Sequence, residues 1–177
     1  LGGSKGRTEA TARGGLYVLQ ALLQKLKIQN SRFKTKAKDL KTLRPNYLTI
    51  AVQGMGNVGG IFAKLSEEAG FRVVALSDSK GGIYNPEGLD VKAALLWKEH
   101  NGSIVDFPGA GNARVTNNEL LVLPVDILAP SALENVISAE IAHQISARII
   151  LELANGPTTG EADKILNKKG VLIVPDF

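Results

Sequence analysis

The sequence has 177 residues, is 44% hydrophobic, carries a net charge of +4 at pH 7 and contains no cysteine. That length supports one domain with a sizeable core. No run of about 18 apolar residues offers a membrane span, no secretory leader is expected, and the absence of thiols excludes disulfides and thiolate chemistry.

In chain order, Leu1–Gly6 is glycine-rich and begins without methionine. Thr8 to Lys27 reads as a helix. Thr8 is its expected cap, and Leu16, Leu19, Leu22, Leu23 and Leu26 form its apolar face. Between Lys25 and Arg44 stand eight basic residues and one acid, Asp39, so that segment carries +7 and the remainder −3. Such a stretch can attract nucleic acid. It has little aromatic interleaving and no binding motif, so the reading is a solvated connector that ends near Pro45.

An alternation follows: strand 48–53, helix 57–69, strand 72–77. Gly81 to Gly88 is turn-rich, with a short strand expected at Ile83-Tyr84. A helix is expected at about 88–100, with Leu89, Ala93, Leu96 and Trp97 on one side. Then come a strand at Asp126–Ala129, a helix over Ser138–Ser146 and a strand over Ile149–Leu153. A helix capped by Thr158 or Thr159 runs to about Lys169, and a last strand spans Val171–Val174. Strands alternating with helices predict an α/β Rossmann-type, doubly wound, mostly parallel sheet with helices on both faces. Residues 1–47 are expected to be a helix and connector packed on the domain formed by 48–177, the whole making one structural unit.

The segment Gly54-Met55-Gly56-Asn57-Val58-Gly59 sits between the first strand and its helix. In that context G-x-G-x-x-G is a dinucleotide fingerprint. Gly54 makes the turn, Gly56 leaves the backbone open to a pyrophosphate, and Gly59 allows close helix–sheet packing. The helix N-terminus offers N–H groups and the positive end of a dipole. Asp78 ends the second strand, 24 residues after Gly54 and 19 after Gly59. An acid at that separation accepts hydrogen bonds from the adenosine ribose. Other strands also end in small or polar residues, at Ala129-Pro130-Ser131, Asn155-Gly156 and Pro175-Asp176. In an open α/β sheet these tips converge on one cleft.

At these tips the chain resembles the glutamate dehydrogenases, within the wider glutamate/leucine/phenylalanine/valine dehydrogenase family. The matching stretches are Gly6-Arg7-Thr8-Glu9-Ala10-Thr11, Val52–Gly59, Ser77–Gly81, Ile83–Gly88, Leu128–Asn135 and Ala154-Asn155-Gly156-Pro157-Thr158-Thr159. The last form points to the glutamate enzymes. The resemblance implies that Thr11 bonds the nicotinamide carboxamide, that Asn57 lies at the same end, and that Asn155 reaches the nicotinamide ribose. With the glycine turn, the implied cofactor-binding set is Thr11, Gly54, Met55, Gly56, Asn57, Val58, Gly59, Asp78, Ser79, Ala129, Pro130 and Asn155. NAD is the expected cofactor, because Asp78 repels a 2′-phosphate; Lys80 offsets that repulsion and makes NADP the alternative. Ser131 departs from the alanine common in the family, and the connector is longer than in some relatives.

The implied reaction is reversible hydride transfer between glutamate and the nicotinamide ring, giving 2-oxoglutarate and ammonium. The family's catalytic lysines and aspartate lie in another domain, which has no match here. The chain therefore reads as a cofactor domain, inactive alone, of a homo-hexameric parent, with the fragment itself monomeric. It offers no catalytic residue of its own. His100 and His143 read as surface or packing residues, Glu134 and Glu152 as structural, and no metal-ligand spacing occurs. Glutamate and 2-oxoglutarate are partners only through the other domain, and neither nucleic acid nor membrane is expected as one. Cytoplasm is the expected setting. The competing functions are a non-catalytic nucleotide-binding or regulatory module and an S-adenosylmethionine-dependent transferase.

Overall fold

A computed structural model describes residues 7–32, 45–111 and 113–175. Leu1–Gly6, most of the basic connector, and Asp176 and Phe177 at the end of the chain lie outside them. The first helix, α1, runs over Arg7–Arg32. It begins one residue before Thr8, so Thr8 is a helical residue rather than the expected cap. It also continues past Lys27, where neither glycine nor proline interrupts it.

Seven strands form one sheet in the order β4-β3-β2-β1-β5-β6-β7. They are β1 (Thr49–Gln53), β2 (Arg72–Asp78), β3 (Gly81–Tyr84), β4 (Arg114–Val115), β5 (Ile127–Pro130), β6 (Ile149–Leu151) and β7 (Leu172–Val174). All neighbours pair in parallel except β3, which runs antiparallel to both β2 and β4. The remaining helices are α2 (Asn57–Glu68), α3 (Val91–Asn101), α4 (Asn117–Leu121), α5 (Ala139–Gln144) and α6 (Gly160–Lys168). The mostly parallel, doubly wound class expected from the alternation is the one observed.

Alternating side chains divide the core between the two faces of the sheet. Ile50 and Val52 of β1 join Phe62 of α2, Val91 and Ala94 of α3, and Ala12, Leu16, Leu19 and Leu23 of α1. Ala51 faces the other way, with Leu120 and Leu121 of α4, Ala142 of α5, and Ala162 and Leu166 of α6. Strand β2 carries a bulge: Val73 pairs with Ile50, but Ala75 with Ala51, leaving Val74 as the extra residue. Beyond it Leu76 belongs to the α1–α3 face, and Ser77 points to the α4 face.

Several boundaries differ from the sequence reading. Helix α3 starts at Val91 because Asp90 caps it, its carboxylate accepting from Ala93 N at 2.8 Å. Ser138 caps α5, and Thr159, not Thr158, caps α6. Strand β4 and helix α4 were not expected. Two and five residues are too few to display a periodicity.

Candidate functional site

The turn after β1 is built from its glycines. Gly54 has φ +101°, and a Cβ there would lie 2.6 Å from that of Ala132. The N–H groups of Gly54 and Met55 both donate to the carbonyl oxygen of Ser77, at 3.1 and 2.7 Å. A Cβ on Gly59 would meet the carbonyl oxygen of Gly54 at 1.9 Å, so only glycine lets α2 begin this close to the turn. Gly56 differs: a Cβ there would find nothing within 4 Å. It is the N-cap of α2, in extended conformation and without a side-chain cap, and no acid stands in the helix's first turn. Gly56 thus opens onto empty space, and no side chain caps the leading N–H groups of α2.

Asp78 lies at the expected strand tip but is turned into the protein. One carboxylate oxygen accepts from Lys80 N at 2.8 Å and Ser103 Oγ at 3.2 Å; the other accepts from Ile104 N at 2.7 Å. The side chain therefore fastens the segment after α3 to β2, and it is 9% exposed. A carboxylate has about four acceptor positions, and three are used.

Two hollows flank the segment 131–133. The first, of about 840 Å³, is lined by Gln53, Gly54, Met55, Gly56, Asp78, Ser79, Lys98, Asn117 and Asn118. The second, of about 530 Å³, is lined by Thr11, Val58, Glu134, Glu152 and Asn155. Ser131, Ala132 and Leu133 border both. Helix α1 brings Thr11 to the second hollow by resting on β6 and the residues after it: a Cβ on Gly15 would lie 2.5 Å from Leu153 Cδ2.

The residues named from sequence therefore fall into two groups at one rim, with Asn57 exposed at the start of α2 between them. Ala129 and Pro130 do not join either group. Both are buried within β5 and line neither hollow. The carbonyl of Pro130 accepts from Leu153 N and Ala154 N at 3.0 and 3.1 Å, so its part is to hold the tip of β6. The Ser131 hydroxyl turns back to donate to Ala129 O at 3.2 Å. His100, His143 and Glu134 are exposed, Glu152 is buried, and no metal-binding cluster exists among the described residues.

Sequence reasoning missed two cleft residues. Lys98, at the end of α3, donates from Nζ to the carbonyl of Met55. Asn117, at the start of α4, bonds the tip of β2. Neither belongs to a motif; only the fold of α3 and α4 over the sheet reveals them.

The family description Glutamate/Leucine/Phenylalanine/Valine dehydrogenase matches residues 2–177. A glutamate dehydrogenase of Thermotoga maritima is 50% identical, over 100% of this chain and 39% of that protein. An NADP-specific glutamate dehydrogenase of Synechocystis sp. is 40% identical, over 100% of this chain and 40% of that protein. A hetero-hexameric glutamate dehydrogenase from Thermus thermophilus, in its Leu-bound form, superposes with a TM-score of 0.80 at 35% identity, covering 99% of this chain and 37% of that one. The chain thus spans about two-fifths of the length of these relatives. Its glycine turn, mostly parallel sheet and whole-length match together establish that it belongs to the glutamate/leucine/phenylalanine/valine dehydrogenase family.

Proposed function

We propose that this chain is the nicotinamide-dinucleotide-binding part of a glutamate dehydrogenase. The parent reaction is the reversible oxidative deamination of L-glutamate to 2-oxoglutarate and ammonium. The observation that carries the reading is the open space before Gly56 at the uncapped start of α2, in a hollow that shares residues 131–133 with the one lined by Thr11 and Asn155. A Cβ would fill that space, and a helix N-terminus is suited to an anion.

On this reading the amides from Gly56 onward hold the diphosphate, and Asp78 and Ser79 flank the adenosine ribose. Thr11, Val58 and Asn155 enclose the nicotinamide end. The nicotinamide ring, when bound, supplies the hydride chemistry; the chain supplies orientation. The described residues of the cleft present no histidine or lysine at the Thr11–Asn155 end. We therefore assign proton transfer and glutamate recognition to parts of the parent outside residues 1–177, so that this span alone is inactive. Residues 1–47 and 48–177 act as one unit, a reading supported by Ala12, Leu16, Leu19 and Leu23 sharing the core of the sheet. Hexameric assembly of the parent in the cytoplasm completes the proposal; among the described residues no helix is long and apolar enough to cross a membrane.

NAD is the preferred cofactor on this reading because an acid at the end of β2 would repel a 2′-phosphate. NADP is the alternative, supported by Lys80 two residues along the chain, by Lys98 lining the same hollow as Asp78 and by the NADP-specific relative. Calorimetric titration with NAD and NADP side by side tests the reading. Binding of NAD that Gly56→Val abolishes is expected; equal binding by that variant refutes the diphosphate contact.

A further inference from the structure

The tip of β2 is held from below by one side chain. Ser77 is fully buried, and its hydroxyl donates to Asn117 Oδ1 at 2.7 Å. A hydroxyl has one proton. With that proton given to Asn117, a lone pair of Ser77 Oγ remains for the N–H of Gly54, 3.4 Å away. The other half of the Asn117 amide, Nδ2, donates to the main-chain carbonyl of Asp78 at 2.9 Å. That carbonyl needs a donor, so the orientation of the amide is fixed by its two partners.

The consequences spread from there. The carbonyl of Ser77 anchors the N–H groups of Gly54 and Met55. Asp78 carries the carboxylate proposed to flank the ribose. One amide thus grips two successive residues, one fixing the glycine turn and the other bearing the acid. The element that presents it is well secured for its size. Helix α4 has five residues, too few to persist alone. It is closed by a capping box, Thr116 Oγ1 accepting from Glu119 N and Glu119 Oε2 from Thr116 N, at 3.2 and 2.7 Å. Its Leu120 and Leu121 are buried.

We infer that Asn117 is a positioning residue for the ribose–diphosphate half of the dinucleotide, acting through Ser77 and Asp78. The inference deepens the dinucleotide reading and rests on it. Asn117 borders the first hollow and not the second, so its influence is confined to one half of the ligand.

The test uses the full-length protein titrated calorimetrically with ADP-ribose and, separately, with nicotinamide mononucleotide, with thermal midpoints recorded. Asn117→Ala is expected to weaken ADP-ribose about tenfold and to leave the mononucleotide unchanged. Asn117→Asp keeps an acceptor for Ser77 but sets an oxygen against the Asp78 carbonyl and adds a negative charge to the hollow, so it is expected to weaken ADP-ribose at least as much; it also carries the test should the alanine variant not fold. On a Ser77→Ala background the effect of Asn117→Ala is expected to shrink markedly, because one arm of the relay is already cut. An undiminished tenfold loss there would make Asn117 a direct ligand contact and overturn the positioning role. So would a variant whose thermal midpoint falls while its ADP-ribose affinity holds. Failure of the wild-type protein to bind ADP-ribose overturns the dinucleotide reading itself, and this inference with it.

Discussion

The α-carbon of Gly59 stands so near the carbonyl oxygen of Gly54 that a Cβ would come within 1.9 Å of it. The obstacle is backbone, which cannot rotate away. Gly59→Ala is expected to lower stability by about 3 kcal/mol, read by chemical denaturation. Gly56→Ala meets nothing within 4 Å at a φ of −82° that any residue adopts. It is expected to change stability by no more than about 0.5 kcal/mol while weakening dinucleotide binding at least about tenfold. Equal stability losses in the two variants would contradict this division of labour.

Asp78 has a structural task beside its proposed ligand role. Removing its carboxylate leaves the N–H of Ile104 and the hydroxyl of Ser103 without their partner. Asp78→Ala is expected to cost about 2 kcal/mol and to shift the ratio of NADP to NAD affinity upward. A variant as stable as wild type would mean that the segment after α3 finds other partners, which denaturation midpoints would reveal.

The N–H of Thr116 holds the Glu119 carboxyl below its ordinary value, with the Thr116 side chain adding to the effect. The ionised form is therefore favoured in the folded protein. Its stabilising contribution is complete above the unfolded value of about 4.3 and disappears as pH falls through the lower folded value. Glu119→Gln should thus be less stable than wild type at neutral pH, with the difference closing in acid. Denaturation curves at pH 7 and pH 3 decide it; a gap that persists at pH 3 would exclude the carboxylate as its source.

Lys169 binds three carbonyls at once, those of Ala142, His143 and Ile145, at 3.0, 2.9 and 2.6 Å. It joins the end of α6 to the end of α5, where a cation also suits the helix dipole. Lys169→Met retains the aliphatic stem and is expected to cost about 1 kcal/mol. Thermal unfolding of the two proteins would show no difference if solvent served those carbonyls equally well.

The parts of the fold that were legible in the sequence are those where one residue type is forced. The long apolar periodicity of α1, the β1–turn–α2 passage with its three glycines, and the helix starts at Ser138 and at Thr158 or Thr159 each leave a local signature. The glycine roles could be separated beforehand because each arises from a different steric demand. Strand β4 and helix α4 left none, since both are short and held by pairing and burial rather than propensity. The cleft residues Lys98 and Asn117 were invisible for a related reason: their partners, Met55 and Ser77, are distant in sequence and are met through backbone carbonyls and one hydroxyl. Ala129 and Pro130 differ: they belong to a family-like stretch, but they lie buried within β5, and only the following Ser131 lines the hollows.

The bonds from Gly54 and Met55 to Ser77 mean that the loop arrives at its task already wired. Two of its donors are already spoken for, so under the proposed reading an anion would be met by the amides on the helix side, and little ordering of main chain would be left for it to impose.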